Sequence, residues 1–312
     1  MRALRRRPKN QVDWPDDDAV TTSLPTVAVI TMVRDEATAL PRWIAHYSAQ
    51  VGMENLVVLD DNSSDGSTDD LPCTVHRLPA LPGRKGYETA RMGLLSGIAS
   101  GLLAVYDWVV MVDADEFLVA DPASYSSVPE LLARRAGGAI APMALNVVHH
   151  TESEKPLDPD LPLLDQRHYA TFVPLMCKPS VKRVAAPWRH ASHGIAAPFA
   201  VDSELFMLHL KFADRDQLKV ISDRRSEMVS IDGRAAKSSW SRSGDDMVAL
   251  LEEVSARIDP VTLTEFDPTA ADLASVVFEE SPGEFRTRKQ GQVRAMREEP
   301  VHLIPTRLRG LI

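Results

Sequence analysis

Two cysteines, Cys73 and Cys177, are all that the 312 residues contain, and neither sits in a Cys-x-x-Cys or Cys/His finger spacing. A disulfide framework and a structural zinc site are thereby excluded, and a reducing, cytoplasmic setting is the expectation. Long apolar runs are missing too. The longest, near Trp108–Val112 and Ala139–Val148, fall short of the roughly 18–20 residues that span a bilayer and read as buried strands. There is no excess of basic residues: 35 Lys and Arg stand against 44 Asp and Glu, a net charge of −9, which argues against nucleic acid as a partner. No internal repeat is present. No Gly-x-x-x-x-Gly-Lys-Ser/Thr occurs either, and the nearest phrase, Gly233–Ser238, lacks the second glycine, so a P-loop NTPase is excluded.

What is present is an ordinary globular composition, 44% hydrophobic and 25% charged, long enough for a substantial core. Residues 1–24 carry a basic start, Met1–Lys9, then Asp16-Asp17-Asp18, with little periodicity. They read as a flexible tail without the apolar segment of a signal peptide. Its basic part allows weak contact with anionic headgroups, peripherally at the inner face of the membrane. Order begins at Thr26–Met32, a continuous β-branched run typical of a strand buried on both faces. Leu40, Trp43, Ile44, Tyr47 and Val51 then recur at helical spacing and stop at Gly52. Leu56–Asp60 is a second buried strand, Thr74–Leu78 a third, Tyr87–Leu102 a helix and Trp108–Val112 the next strand.

This alternation predicts an α/β fold with a doubly wound, mostly parallel, Rossmann-like sheet over residues 25–221. Residues 222–312 read as a mainly helical C-terminal extension. Two strand ends are acidic: Asp60 and Asp61 close the second strand, while Asp113, Asp115 and Glu116 follow Trp108–Val112. In an open parallel sheet, ligands sit beyond the carboxyl ends of the strands, so both groups should face one crevice. Converging carboxylates are costly unless a cation neutralises them, and a hard divalent ion, Mn2+ or Mg2+, suits oxygen ligands. Such ions keep positions open for substrate phosphates, which points to a nucleotide diphosphate bridged to the protein through metal. A haloacid-type phosphatase fits poorly, because Asp113-Ala-Asp115 continues into Glu116-Phe117.

Four segments carry a resemblance: Ala28-Val-Ile-Thr-Met-Val-Arg-Asp-Glu36, Leu40-Pro-Arg-Trp-Ile-Ala-His46, Val58-Leu-Asp-Asp-Asn-Ser-Ser-Asp-Gly-Ser67 and Trp108-Val-Val-Met-Val-Asp-Ala-Asp-Glu-Phe-Leu118. Together they resemble GT-A glycosyltransferases of the family 2-like group. The likeness covers roughly residues 26–215 and fades after Ala120; Asp61-Asn62 departs slightly from the group's pattern. It implies a GT-A-type fold and transfer of a sugar from a nucleotide-diphosphate donor, UDP-linked in the first instance, to a glycan, lipid or small-molecule hydroxyl.

Residue by residue, the resemblance implies that Thr31 to Val33 cradle the nucleoside, that Asp60, beside Asp61, recognises base or ribose, and that Arg34 and Glu36 line the same pocket. Asp113 and Asp115 match the Asp-x-Asp motif as metal ligands, Asp115 the more direct, with Glu116 in support. Arg84 and Lys85 could meet phosphates. Lys178, followed by His190 and His193, fits a donor site, as does Phe206–Lys211, where His209 would complete the metal set and Lys211 would face the diphosphate. An inverting transferase also needs a carboxylate base. Asp202 and Glu204, which precede the His209 strand, are candidates, with Asp202 the first choice. The competing reading is a glycosyltransferase-like protein that binds the nucleotide sugar and transfers nothing.

Overall fold

The computed structural model describes residues 23–79, 87–233 and 238–312. The expected tail up to residue 22 and the loop bearing Arg84 and Lys85 lie outside them. Strand β1 (Val27–Val33) is buried along nearly its whole length, as its β-branched run requires. Helix α1 (Ala39–Val51) buries Leu40, Trp43, Ile44 and Tyr47, residues three or four apart that share one face. It ends where Gly52 takes φ 90, a conformation that favours glycine. The chain returns through β2 (Leu56–Asp60), parallel to β1 with Val33 opposite Asp60, so the two strands finish level. Beyond β3 (Thr74–Arg77) and α2 (Tyr87–Leu102), β4 (Trp108–Met111) docks parallel on the other side of β1. The parallel core β3-β2-β1-β4 is the expected parallel half of an α/β sheet.

The other half of the sheet is built differently. β5 (Glu116–Ala120), α3 (Val128–Ala133) and β6 (Ala139–Val148) follow, then β7 (Tyr169–Phe172) and β8 (Val181–Lys182). β8 and β7 pair antiparallel with β6. β9 (Trp188–Arg189) and β10 (Gly194–Ile195) leave the main sheet, and β11 (Ala200–Phe212) rejoins it between β6, parallel, and β5, antiparallel. Its pairing sets His209 opposite Glu116 on one side and Asn146 on the other. Trp43, Trp108, Trp188, Phe117 and Phe206 are fully buried in the core beneath.

The C-terminal region adds short strands to the mainly helical extension that was expected. Its boundary at residue 221 falls inside α4 (Arg215–Asp232), which starts where the Asp214 side chain accepts from the backbone N–H groups of Asp216 and Gln217. After α5 (Gly244–Ser255) comes a hairpin, β12 (Val277–Ser281) and β13 (Glu284–Thr287), turned at Gly283 with φ 78. The hairpin pairs with β10 to form a second, four-stranded sheet. After α6 (Gln292–Glu298), β14 (Val301–Leu303) adds an antiparallel edge to β7. Helical periodicity missed these strands because they are short and half-exposed. Among the described residues no helix is long and apolar enough to cross a membrane.

Candidate active site

A cleft of about 800 Å³ opens at the carboxyl ends of β1 and β4, within the size range of small-molecule sites. Its floor is the run after β4. Asp113 receives Arg91 Nη2 at 2.7 Å on one carboxylate oxygen and Lys178 Nζ at 3.2 Å on the other. Lys178 also meets Glu116 Oε1 at 2.5 Å. Burial pushes the Asp113 carboxyl up, but Lys178 and Arg91 hold it well below the usual carboxylate range. For Glu116 burial prevails: its carboxyl is raised, with Asp113 and Asp115 adding and Lys178 opposing. Lys178, although buried, is kept firmly cationic by Glu116 and Asp113.

Asp115 faces the other way, toward β11. Its Oδ2 lies 3.5 Å from His209 Nε2, a pair that the sequence places 94 positions apart and the β5–β11 register brings together. Burial again works upward on Asp115, but His209, when its ring carries both protons, and Arg225 outweigh it and hold the carboxyl low. The opposite ring nitrogen, His209 Nδ1, lies 2.7 Å from the amide oxygen of the fully buried Asn146. Two residues on, Lys211 lines the cleft and donates to Ser239 Oγ at 3.0 Å and Gln292 Oε1 at 3.1 Å. Burial, helped by Arg225, lowers its ammonium to about 7 against the pull of Asp115.

The structure gathers most of the residues singled out in the sequence and disperses a few. Val33, Arg34, Glu36, Asp61, Asp113, Asp115, Glu116, Lys178, His209 and Lys211 all line the cleft. Thr31 is fully buried one step inside β1 and Asp60 is turned away, so neither lines it. Asp60 instead accepts from Arg77 Nε at 2.8 Å and from the Ser63 backbone N–H at 2.7 Å, tying β2 to β3 and the following turn. Asp61 is the member of the pair in the cleft, where Tyr87 Oη donates to it at 2.7 Å.

Asp202 is not in the cleft. It forms a two-pronged ion pair with Arg135, at 2.6 and 3.3 Å, beside Glu204, which Arg135 also contacts. Seven steps along β11 take the chain from it to His209, a span of up to about 23 Å at roughly 3.3 Å per residue, shortened by the irregularity between Asp202 and Phe206. The structure thus does not bring Asp202 to the cleft, where a catalytic base would be needed. His190 pairs with Glu280 and does not line the cleft, whereas His193 does. Burial and the nearby Lys178 push the His193 imidazole down to about 3, so it is neutral at ordinary pH. His190, Ala191 and Ser192 all adopt left-handed φ values of 53, 53 and 71, a strained turn that puts Ala191 on the cleft wall.

Residues that sequence reading passed over complete the wall. Tyr87 and Arg91 read only as positions of the helix Tyr87–Leu102, and nothing marked Arg224, Arg225, Trp240 or Gln292. Arg224 and Arg225 both approach Glu36 Oε1 at 3.6 Å, and Arg225 stacks over the Trp240 ring at 5.1 Å. Burial raises the Glu36 carboxyl despite both arginines. The only available signal was the Arg224-Arg225 pair in a polar helix, which is more often a solvated face.

The three-residue metal set expected of Asp113, Asp115 and His209 does not form. Among the described residues no three His, Cys, Asp or Glu side chains converge on one point, and Asp113 already has both oxygens on cationic partners. Asp115 and His209 alone do fit an ion. Metal–ligand bonds of ~2.1 Å at a right angle put two donors about 3 Å apart, close to the observed 3.5 Å. A divalent ion bound through one or two protein donors, with substrate phosphates and water for the rest, is the usual arrangement for Mg2+.

No family model matches the chain, and no curated protein matches it. Solved structures do. The mannosyltransferase PcManGT from Pyrobaculum calidifontis, in complex with GDP-Man and Mn2+, aligns over 45% of this chain and 40% of its own at 19% identity and a TM-score of 0.27. A mycobacterial protein aligns over 42% and 44% at 24% identity and a TM-score of 0.27. GalNAc-T7, with UDP, GalNAc and Mn2+, aligns over 74% and 54% at 12% identity and a TM-score of 0.38. The chain thus spans only 40 to 54% of the length of these structures.

Proposed function

We propose that the chain is a metal-dependent glycosyltransferase of GT-A type that moves a sugar from a nucleotide-diphosphate donor to an acceptor hydroxyl. One observation carries the reading: carboxylates at the end of β4, an imidazole on β11 and a ring of Lys and Arg side chains share one cleft at the carboxyl edge of a parallel sheet. Breaking the donor's anomeric bond leaves positive charge on the sugar and negative charge on the departing diphosphate. Fixed cations around the cleft stabilise the second of these without reorganising as the charge develops. Lys178 would fill that role from the Asp113 side, and Lys211, whose ammonium burial lowers to about 7, would join it from the Asp115 side once an anion beside it holds its proton. Mn2+ or Mg2+ would be held by Asp115 and His209, and when bound supplies Lewis-acid stabilisation of the same leaving group. Met32, Val33 and Asp61, at the ends of β1 and β2, shape the pocket for the nucleoside.

The test is release of free nucleotide from UDP-glucose, UDP-galactose and GDP-mannose, with Mn2+ and with excess chelator. Metal-dependent release from one of them is the expected result. Tight donor binding with no release from any would leave a nucleotide-sugar-binding protein in place of an enzyme. Failure of every nucleotide to bind would remove the reading altogether.

A further inference from the structure

We infer that Asn146 is a positioning residue that fixes which nitrogen of His209 carries the ring proton, an inference that rests on the metal-dependent reading above. Asn146 interrupts an otherwise apolar strand, Ala139–Val148, and is fully buried there. A polar side chain in such a place is retained at a cost unless its amide is satisfied. Both ends are. Its Nδ2 lies 3.1 Å from Met296 Sδ, and its Oδ1 lies 2.7 Å from His209 Nδ1.

The sulfur determines which way the amide points. A thioether can only accept, so the NH2 group belongs on the Met296 side and the carbonyl oxygen on the His209 side. An oxygen at 2.7 Å requires a proton on Nδ1. In the neutral ring Nε2 is then a bare lone pair, and it faces Asp115 Oδ2 at 3.5 Å. Two acceptors held face to face call for a cation between them. Without Asn146, the carboxylate of Asp115 would draw the ring proton to Nε2, and a metal ligand would become a hydrogen-bond donor. Outer contacts of this kind orient a ligating histidine and tune its affinity. Because Met296 belongs to α6, the C-terminal region reaches the site through this relay.

Asn146→Leu and Asn146→Asp separate positioning from packing. Long-range nitrogen–proton NMR of histidine-labelled protein, metal-free and mildly alkaline, reads the tautomer directly. Calorimetry with Mn2+ in the presence of UDP reads the consequence. Wild type should show the Nδ1–H form, Asn146→Asp should keep it with Mn2+ affinity within a few-fold, and Asn146→Leu should switch to Nε2–H. The leucine variant should bind Mn2+ about 10- to 100-fold more weakly. A packing role gives the reverse order, with leucine tolerated and the buried aspartate damaging. If Asn146→Leu does not fold, Met296→Leu puts the question from the other end: the freed amide can turn over, and the Nδ1–H population must fall. Unchanged tautomer and affinity overturn the inference while leaving the metal reading intact. A wild type that shows the Nδ1–H form yet binds no Mn2+ with UDP sinks the metal reading instead.

Discussion

Asp115→Asn and His209→Ala probe whether two side chains 3.5 Å apart hold one ion. The asparagine keeps the shape of the cleft floor and removes the charge. Loss of one preorganised electrostatic contact of this kind costs about 10²–10³-fold in turnover, roughly 3–4 kcal/mol. His209→Ala removes a neutral ligand, and about 10- to 100-fold is expected, on the scale of a metal site losing supporting contacts, or ~1.4–2.7 kcal/mol. Independent losses would add to about 4–7 kcal/mol in the double variant. A shared ion gives a different result: once Asp115 is neutral the site is already disabled, and the double variant should stay near the Asp115→Asn value. The two outcomes differ by about 1.4 kcal/mol or more, beyond the ~0.5 kcal/mol within which independent sites add. Donor hydrolysis over a Mn2+ titration measures all four corners of the cycle, with circular dichroism confirming the fold. Full additivity, or a His209→Ala protein with wild-type Mn2+ dependence, would refute the shared ion and return His209 to the role of a packed strand histidine.

Asp202→Asn should leave nucleotide release unchanged and lower stability by about 1–3 kcal/mol, because it weakens the Arg135 pair far from the cleft; a catalytic defect in a folded protein would restore it as a base. Cys177 is fully buried, and burial pushes its thiol up to about 12, so Ellman's reagent should titrate the part-exposed Cys73 in the native state and Cys177 only on unfolding. His193 is held neutral down to about 3 in the fold but takes a proton near 6.5 when unfolded. Stability should therefore fall with acidification, by at most about 1.4 kcal/mol per pH unit between those values, and His193→Gln should flatten that limb in denaturant titrations.

Legibility followed the strands. Asp113, Asp115 and Glu116 could be placed because a buried strand that ends in acids points to the carboxyl edge of a sheet, whatever the remaining topology. Lys178, His209 and Lys211 came from the resemblance; the β5–β11 register supplies the reason His209 meets Asp115, whereas Lys178 meets Asp113 and Glu116. Errors arose where a difference of one residue or one strand length decides the outcome. Successive side chains on a strand point to opposite faces, so Asp60 turns to Arg77 while Asp61 enters the cleft. Thr31 fails similarly, one position too deep in β1. Asp202 sits on the same strand as His209 but at its far end, and the sequence does not reveal that β11 extends from Ala200 to Phe212 through two irregularities.

The C-terminal region was illegible for another reason: its contribution exists only in tertiary contact. Lys211 is satisfied by Ser239 and by Gln292, the latter 81 positions along the chain, and no local pattern couples them. Arg224 and Arg225 close on Glu36 from a helix nearly 190 residues later in sequence, at 3.6 Å each. A chain of net charge −9 cannot attract an anionic donor by its overall field, so any diphosphate must be met locally. Five of the cleft's cations form two groups, Arg91 and Lys178 tied to the floor carboxylates, and Lys211, Arg224 and Arg225 carried by α4 or held by contacts with the region after it. The first group is already engaged by Asp113 and Glu116. Lys211, by contrast, donates to a hydroxyl and an amide. The segment that looked like an appendage thus supplies the wall that makes an acidic strand end compatible with an anionic ligand.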